Sequence, residues 1–480
     1  MLARLRHRGP DGSSDQRVGR TWLGHTRLSI VDLEGGDQPL PDESEERWVV
    51  CNGEIYNHRA LREVLPGPFR TESDSEVTLH VVDTWGPEGI ARLRGMFAFC
   101  IADSGGGLVA ARDALGVKPL YWARDGERMV FASELRSFEP GLRERVEEFP
   151  PGHYWTPERG LVRYVELAGG NVNEFATRDR AKEEIRGSLI AAVRARMMAD
   201  VPVGVFLSGG LDSSLVAAIM VQGADDAGLA VHSFAAGVED SPDLRAARTV
   251  ADHLGLKHFE RVYTEDEVLD VLPDVVRSME AYEPSLVRSA VPNYLLAELA
   301  ADHVKVVLTG EGADELYAGY DYLRDYDDAE DLQDELVRSV EGLHNLNLQR
   351  CDRVTMAHGL EARVPFLDLD VIAIAQRVPI GWRLPGPEGQ EKRILREAFA
   401  GWLPEEILWR RKEQFGDGSG TAALTSRLAE RLVPEPDWES APVTGLPRPR
   451  TREELAYQRI FAGHLGGFRA DRLLGRFATA

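Results

Sequence analysis

The chain has 480 residues, of which 43% are apolar and 28% charged, a composition typical of soluble globular proteins with two or three domains. Its 56 Lys and Arg against 79 Asp and Glu give a net charge of −23, which argues against a nucleic-acid-binding surface. The scattered cysteines, Cys51, Cys100 and Cys351, predict neither a disulfide framework nor a zinc site.

The sequence shows neither a secretory leader nor a bilayer-spanning stretch. Residues 1–8 lack an apolar core followed by a cleavage site, and no apolar run approaches the length of a bilayer. We therefore expect a cytoplasmic protein without a membrane partner. Six lysines beside abundant arginine, on an acidic chain, fit either adaptation to high salt or a GC-rich genome.

Short strands separated by turns are predicted from residue 20 to about residue 165. They are 22–29, 47–51, 96–102, 107–111, 119–123 and 129–132. One helical pattern, 74–85, interrupts them, and such a succession indicates packed antiparallel sheets. The polar segment 168–180 predicts a linker, after which a long amphipathic helix begins near Ala181.

Beyond the linker, strands alternate with helices. The predicted strands are 203–207, 231–236 and 304–309, and the predicted helices are 211–221, 242–254 and 289–301. This alternation is the pattern of a doubly wound parallel sheet. Ser241 is the expected N-cap of the second helix, with Pro242 in the first helical position.

The first predicted parallel strand runs into Ser208-Gly-Gly-Leu-Asp-Ser-Ser214, and a helix follows. The first amides of that helix have no intrahelical partner and favour an anion such as phosphate. Gly209 and Gly210 allow close approach, and Asp212 suits a divalent cation that bridges phosphates. Hydroxyl donors are expected from Ser208, Ser213 and Ser214.

The loop lacks the Gly-Lys-Ser/Thr ending of kinases and GTPases. It resembles the pyrophosphate-binding loop of the ATP pyrophosphatase families, although a serine-capped Gly-Gly turn is the alternative. A second loop, Leu308-Thr-Gly-Glu-Gly-Ala-Asp-Glu-Leu316, ends the third strand at the same sheet edge. Its Glu311 and Asp314 suit Mg²⁺ binding and proton transfer, unless these acids and Glu315 merely open a solvated helix.

Three further segments are Gly359-Leu-Glu-Ala-Arg-Val-Pro-Phe-Leu-Asp368, Glu391-Lys-Arg-Ile-Leu-Arg-Glu397 and Trp409-Arg-Arg-Lys-Glu-Gln-Phe415. With the two loops, they make residues 6–420 resemble glutamine-hydrolysing asparagine synthetases. The resemblance implies ATP and Mg²⁺ as cofactors. In that reaction the aspartate side chain attacks ATP to give β-aspartyl-AMP and pyrophosphate, and ammonia then displaces AMP.

The resemblance also implies an α+β N-terminal-nucleophile-type antiparallel sandwich over 1–167, the glutamine amidotransferase type 2 domain. After the linker 168–180, an α/β ATP-pyrophosphatase domain with a parallel sheet covers 181–480. Family members often form homodimers, which is the assembly that the resemblance implies.

Roles in the synthetase half follow from the same resemblance. Asp212 and Asp314 would hold Mg²⁺, and Glu311 would take a proton from ammonia. Lys412 would oppose negative charge developing on phosphate. The nucleotide and pyrophosphate would contact Leu207, Ser208, Gly209, Gly210, Asp212, Ser213, Ala236, Thr309, Gly310 and Lys392.

Two further basic residues in the matched segments leave their roles open. Lys392 and Arg363 either add positive charge near phosphate or pair with neighbouring acids. The departures from the family pattern are mild, with Thr309 and Ala313 where relatives commonly have serine.

The N-terminal half resembles the glutamine-binding part of the family. The segments are Arg6-His-Arg-Gly-Pro-Asp-Gly12, His25-Thr-Arg-Leu-Ser-Ile-Val-Asp32, Asn52-Gly-Glu-Ile-Tyr-Asn57, Ser73-Asp74 and Arg112-Asp-Ala-Leu-Gly116. By resemblance, Arg27 pairs with glutamine's α-carboxylate and Asp74 receives its α-ammonium. Asn52 and Gly53 form the oxyanion hole. Turn residues and surface pairs are the alternative interpretation.

The expected nucleophile is not in this sequence. Family members begin with a mature Cys-Gly-Ile whose α-amino group activates the thiol, whereas residue 1 here is Met1. The sequence begins either at an internal methionine or fragment boundary, or in a gene that has lost its first strand. We expect the full-length protein to take its nitrogen from glutamine, and this polypeptide to amidate aspartate with ammonia and to lack glutaminase activity.

Two other functions remain open. A related amide-forming enzyme, such as a β-lactam synthetase-like one, would keep the ATP loop and use another acceptor. A non-catalytic glutamine- or nucleotide-sensing protein would bind ATP without releasing pyrophosphate.

Overall fold

The structure, a computed structural model, describes residues 1–167, 174–227, 230–326, 328–385, 389–411, 419–434, 438 and 445–475. The strands are β1 (Gly12–Val18), β2 (Thr21–Arg27), β3 (Leu40–Pro41), β4 (Arg47–Ile55), β5 (Gly95–Asp103), β6 (Leu108–Arg112), β7 (Tyr121–Asp125), β8 (Arg128–Ala132), β9 (Val146–Glu148), β10 (His153–Thr156), β11 (Gly160–Arg163), β12 (Val203–Phe206), β13 (His232–Gly237), β14 (Lys257–Val262), β15 (Val306–Leu308) and β16 (Glu361–Arg363).

The helices are α1 (His58–Val64), α2 (Val77–Trp85), α3 (Arg178–Arg196), α4 (Leu211–Ala227), α5 (Pro242–Leu254), α6 (Glu265–Met279), α7 (Pro284–Ala301), α8 (Ala313–Leu316), α9 (Ala329–Glu341), α10 (Asn347–Met356), α11 (Leu369–Gln376), α12 (Ile380–Arg383), α13 (Arg393–Ala398), α14 (Glu405–Leu408), α15 (Thr421–Leu432), α16 (Arg452–Leu465) and α17 (Ala470–Leu473).

The N-terminal half contains a six-stranded antiparallel sheet of order β11-β10-β6-β5-β4-β3. Its strand β5 is buried on both faces because alternate side chains enter different cores. Phe97 and Phe99 pack in the core that α1 and α2 cover. Ala98 and Cys100 pack against the small sheet β8-β7-β9, beside the β1-β2 hairpin. This arrangement confirms the predicted sandwich.

The C-terminal half contains a five-stranded parallel sheet of order β14-β13-β12-β15-β16. Strand β12 is central, and the chain continues to β13 on one side of it and later to β15 on the other. Ligands of such sheets bind where the order reverses, outside the carboxyl ends of the strands. The predicted parallel sheet is therefore confirmed, and a ligand of this sheet is expected in the crevice between β12 and β15.

Sequence patterns located most elements but not all their ends. Helix α7 begins at Pro284 rather than at the predicted residue 289, because Glu283 caps it by accepting a 3.1 Å hydrogen bond from the Leu286 amide. Helix α3 begins at Arg178, inside the predicted linker, and 168–173 of that linker lie outside the described residues. Within the described part of the chain, no helix is long and apolar enough to cross a membrane.

Buried ion pairs join the two halves. They are Arg8–Asp352 (2.7 Å), Lys118–Glu361 (3.0 Å), Arg353–Glu134 (3.1 Å) and Arg363–Glu54 (3.2 Å). These side chains are at most 6% exposed, so each charge depends on its partner instead of water.

Candidate active site

A cavity of about 840 Å³ opens at the crevice between β12 and β15. The loop after β12 leads into α4, and the loop after β15 leads into α8, so both predicted loops reach its wall. The predicted residues that line it are Leu207, Ser208, Gly210, Asp212, Ser213, Ala236, Thr309, Gly310, Glu311, Asp314 and Lys392.

The first loop is shaped by its glycine and its serines. Gly209 has a φ of +69°, and a Cβ there would lie 2.4 Å from the backbone carbon of Ala246, so a side chain does not fit. The hydroxyls of Ser208 and Ser213 lie 3.1 Å apart. Ser214 is fully buried and is not part of the cavity wall, so the expectation that it donates to a ligand is wrong.

Lys392 lies between the two predicted metal-binding acids. Its ammonium nitrogen is 2.5 Å from a carboxylate oxygen of Asp212 and 2.5 Å from one of Asp314, and the side chain is 2% exposed. Burial alone would lower the pKa of Lys392, but the two carboxylates raise it above its ordinary value. The arrangement brings both acids to a single cation.

Glu311 is paired with Arg350 of α10, which reaches it from outside both loops. Burial raises the pKa of Glu311, with Asp314 and Asp212 adding to the rise, whereas Arg350 lowers it. The carboxyl group therefore combines a raised affinity for protons with a cation that holds it in the cavity.

The prediction that these acids could open a solvated helix fails at Glu315, which is 3% exposed. Burial and the neighbouring Asp314 raise the pKa of Glu315 to about 7. Its carboxylate accepts hydrogen bonds from the hydroxyl of Tyr320 (2.6 Å) and the amide of Asn347 (3.2 Å).

Several cavity residues were not predicted. Arg350 lies in a helix with no family motif assigned to it, and no local signal marks it. Arg410 lies in the matched segment 409–415 and pairs with Asp243 at 2.9 Å, so the motif contained it without indicating its partner. The predicted Lys412 lies outside the described residues. Arg363 is not in this cavity, since it pairs with acids between the halves.

A second cavity of about 1490 Å³ lies in the N-terminal half, and the predicted Arg27, Asn52, Gly53 and Asp74 all line it. Arg27 donates to Asp37 and to the carbonyl oxygen of Asp32, both at 2.6 Å. The guanidinium predicted to receive a carboxylate therefore already holds one in this structure.

The remaining glutamine-site residues are held by the backbone. Asp74 is 3% exposed and accepts a 2.6 Å hydrogen bond from the Ile55 amide. Burial raises the pKa of Asp74 to about 6, although that bond and the charge of Arg363 act to lower it. Gly53 has a φ of +138°, and the buried Nδ2 of Asn52 has no hydrogen-bond partner within the described chain, as a donor waiting for an oxyanion would.

All three cysteines are buried and unbridged. Cys51 lines the second cavity, and burial raises the pKa of its thiol above the ordinary value. Burial also raises the pKa of Cys100 and Cys351 to about 12. Each thiol therefore stays protonated near neutral pH and is a poor nucleophile.

Comparison with known proteins matches both halves. The asparagine synthase family model matches residues 184–333 and 324–470, and the glutamine amidotransferase domain model matches residues 1–158. A probable glutamine-hydrolysing asparagine synthetase of Schizosaccharomyces pombe is 40% identical, covering 96% of this chain and 89% of its own. Asparagine synthetase B (glutamine-hydrolysing) of Escherichia coli is 38% identical, with 96% and 86% covered. Glutamine-hydrolysing asparagine synthetase 2 of Arabidopsis thaliana is 40% identical, with 88% and 75% covered.

Proposed function

Because the chain belongs to the glutamine-hydrolysing asparagine synthetase family, we propose that it converts aspartate to asparagine with ATP and releases AMP and pyrophosphate. The observation that carries the proposal is the convergence of both predicted loops on one cavity, where Asp212 and Asp314 share the ammonium of Lys392. We assign this cavity to a synthetase domain of residues 181–480 and the second cavity to a glutamine amidotransferase domain of residues 1–167.

The donor set fits Mg²⁺ bound together with phosphates. Mg²⁺ in phosphate sites usually takes one or two carboxylates and completes its shell with water and phosphate oxygens. The two acids that meet at Lys392 satisfy this requirement, and the described residues contain no cluster of three or more such ligands. Asp212 and Asp314 would hold the ion, which neutralises charge on the departing pyrophosphate.

The loop residues have separate tasks. Backbone amides at the start of α4 bind the phosphates, and the hydroxyls of Ser208 and Ser213 add donors. Thr309 and Gly310 form the opposite wall, with Leu207 and Ala236 against the nucleotide. Buried Lys392 keeps positive charge beside the reacting phosphate.

Glu311 takes the proton that ammonia loses when it attacks the aspartyl carbonyl. The Glu311 side chain is 22% exposed, and its raised pKa makes its carboxylate a stronger base than one with an ordinary pKa, while Arg350 keeps it oriented. Lys412 would add charge at the phosphate, as the sequence predicts.

Glutamine would bind the second cavity through Arg27 and Asp74, with Asn52 and Gly53 stabilising the oxyanion. Each of the three cysteines is buried and has a raised thiol pKa, so none of them suits the role of the group that attacks glutamine. Ammonia supplied in solution needs no such group. The cytoplasmic location and the homodimer stay predictions, and gel filtration tests the latter.

An isotope experiment tests the adenylation step. Aspartate labelled with ¹⁸O in its side-chain carboxylate should transfer one labelled oxygen to AMP, because that oxygen attacks the α-phosphorus of ATP. Release of ADP and phosphate, or unlabelled AMP, would contradict the proposal. Pyrophosphate formation with another acid but not with aspartate would favour the β-lactam synthetase-like alternative.

A further inference from the structure

One acid in the synthetase cavity differs from all the others. Within the described part of the chain, seven carboxylates line the cavity, and six of them are in ion pairs: Asp212 and Asp314 with Lys392, Asp243 with Arg410, Glu311 with Arg350, Glu335 with Arg338 and Glu391 with Arg396. The seventh is Glu315. Among the residues that the structure describes, no Lys, Arg or His nitrogen lies within 4.0 Å of its carboxylate.

The hydrogen-bond donors to Glu315 are uncharged, and the charged side chains nearest to it, Asp314 and Glu311, are acids. Both of its side-chain hydrogen bonds end on Oε1, one from the Tyr320 hydroxyl and one from the Asn347 amide. The Asn347 amide also lies 3.2 Å from the Tyr320 hydroxyl, so the three side chains are linked by hydrogen bonds. A carboxylate that is only 3% exposed, with uncharged donors and like charges around it, is costly unless a cation arrives to pair with it.

Glu315 lies beside the reacting groups. It follows Glu311 by four residues, and Asn347 precedes Arg350 by three on α10. The Glu315–Asn347 contact therefore runs next to the Glu311–Arg350 pair, along the same cavity wall. An aspartate whose side-chain carboxyl is beside Glu311 carries its α-ammonium only a few bonds away, which is within reach of the cavity wall that Glu315 lines.

Resting on the proposed function, we propose that Glu315, together with Tyr320 and Asn347, binds the α-ammonium group of aspartate. The substrate then supplies the cation that this carboxylate lacks. The same contact selects an α-amino acid over a dicarboxylic acid of equal length without an amine, because that acid leaves Glu315 buried without a counter-charge.

The test compares aspartate with succinate, which lacks the amine, in wild type and Glu315→Gln. Glutamine keeps the side-chain shape and an oxygen that accepts from Tyr320, but it removes the charge. The rate of pyrophosphate release is measured with ATP, Mg²⁺ and ammonium. In Glu315→Gln, kcat/KM for aspartate should be about 10-fold to 100-fold lower than in wild type. The value for succinate should be unchanged or raised, so the preference for aspartate falls by the same factor.

Glu335→Gln is the matched control. Glu335 lines the same cavity, is 6% exposed and accepts a 2.9 Å hydrogen bond from the Tyr322 hydroxyl, but it has Arg338 as its cation. In Glu335→Gln, the ratio of kcat/KM for aspartate to kcat/KM for succinate should stay at the wild-type value. An unchanged ratio in Glu315→Gln, with both substrates affected equally, would overturn the subsite and leave Glu315 as a brace for Tyr320.

Binding measurements separate this proposal from the proposed function. If wild type released no pyrophosphate with aspartate, the proposed function would fail, but calorimetry would still compare the two ligands. Tighter binding of aspartate than of succinate in wild type, lost in Glu315→Gln, supports the subsite. Equal binding of both ligands to wild type contradicts it.

Discussion

The two cavities differ in how their charges are balanced. In the synthetase cavity, acids from the strand-end loops meet cations from later segments, as Lys392 meets Asp212 and Arg350 meets Glu311. In the glutamine cavity, Arg27 is already engaged by Asp37, and the two cysteines that line it, Cys51 and Cys100, are buried with raised thiol pKa values. Groups proposed to bind a substrate and groups that would react with it therefore have to be judged separately, because in the described part of the second cavity the proposed binding residues are present while both thiols are poor nucleophiles.

The largest expected effect comes from removing the base of the first cavity. Glu311→Gln cannot accept a proton, so asparagine formation from ammonium should fall by about 10²-fold to 10⁴-fold. Pyrophosphate release that depends on aspartate should fall far less, because adenylation precedes the attack of ammonia. Both products are measured in one reaction, with exposed Glu341→Gln as the control. An equal loss of both products would show that Glu311 acts before the attack of ammonia.

A smaller effect should follow from breaking the charge network between the halves. Arg353→Met leaves Glu134 and Glu280 buried without this cation, which should lower the free energy of unfolding by about 3–5 kcal/mol. The solvent-exposed Arg248, paired with Glu260, provides the control, since water screens its charge and Arg248→Gln should change the free energy of unfolding far less. Chemical denaturation measures both. If both variants lost the same free energy of unfolding, the buried ion pairs would stabilise the protein no more than an exposed pair does.

The smallest effect concerns pH and the glutamine cavity alone. The pKa of Asp74 is raised to about 6, so the folded protein binds this proton more tightly than the unfolded chain. Its contribution to stability is therefore present at low pH and lost as pH rises through 6. Glutamine needs the ionised carboxylate, so its affinity should weaken below pH 6 by up to about tenfold per pH unit. Calorimetry across this range measures it.

Asp74→Asn separates that titration from others nearby. In this variant glutamine affinity should be weak and nearly independent of pH between about 5 and 7. If glutamine affinity still depended on pH in this variant, the titrating group would be one other than Asp74. Asparagine formation from ammonium should be unaffected by the substitution, because Asp74 lines the glutamine cavity and not the synthetase cavity.

The fold was largely predictable because its signals are local. The apolar run of β5 and strand-to-helix transitions such as Ser208–Asp212 are visible in neighbouring residues. The strand β16 was not predicted, because Glu361-Ala-Arg363 has a charged residue at each end and lacks the apolar run that marks β15. Lys118 and Glu361, 243 positions apart, pair only after both halves have folded.

Site residues were predictable where they lie within a sequence motif of one loop. They were not predictable where a side chain's ion-pair partner lies far away in the sequence. The acids Asp212, Glu311 and Asp314 were predicted and meet in one cavity. Arg350, which holds Glu311, comes from a helix 39 positions later and has no sequence signal. The sequence left two roles open for Arg363, and the structure pairs it with Glu54 and Glu361 between the halves.

We expect these 480 residues to contain a working synthetase cavity, whatever supplies its nitrogen. The most direct test incubates the polypeptide with aspartate, ATP and Mg²⁺, with either ¹⁵N-ammonium or amide-¹⁵N-glutamine, and follows pyrophosphate and asparagine together. We predict labelled asparagine from ammonium, in step with pyrophosphate, and no label from glutamine. The absence of aspartate-dependent pyrophosphate with either nitrogen source would contradict the account.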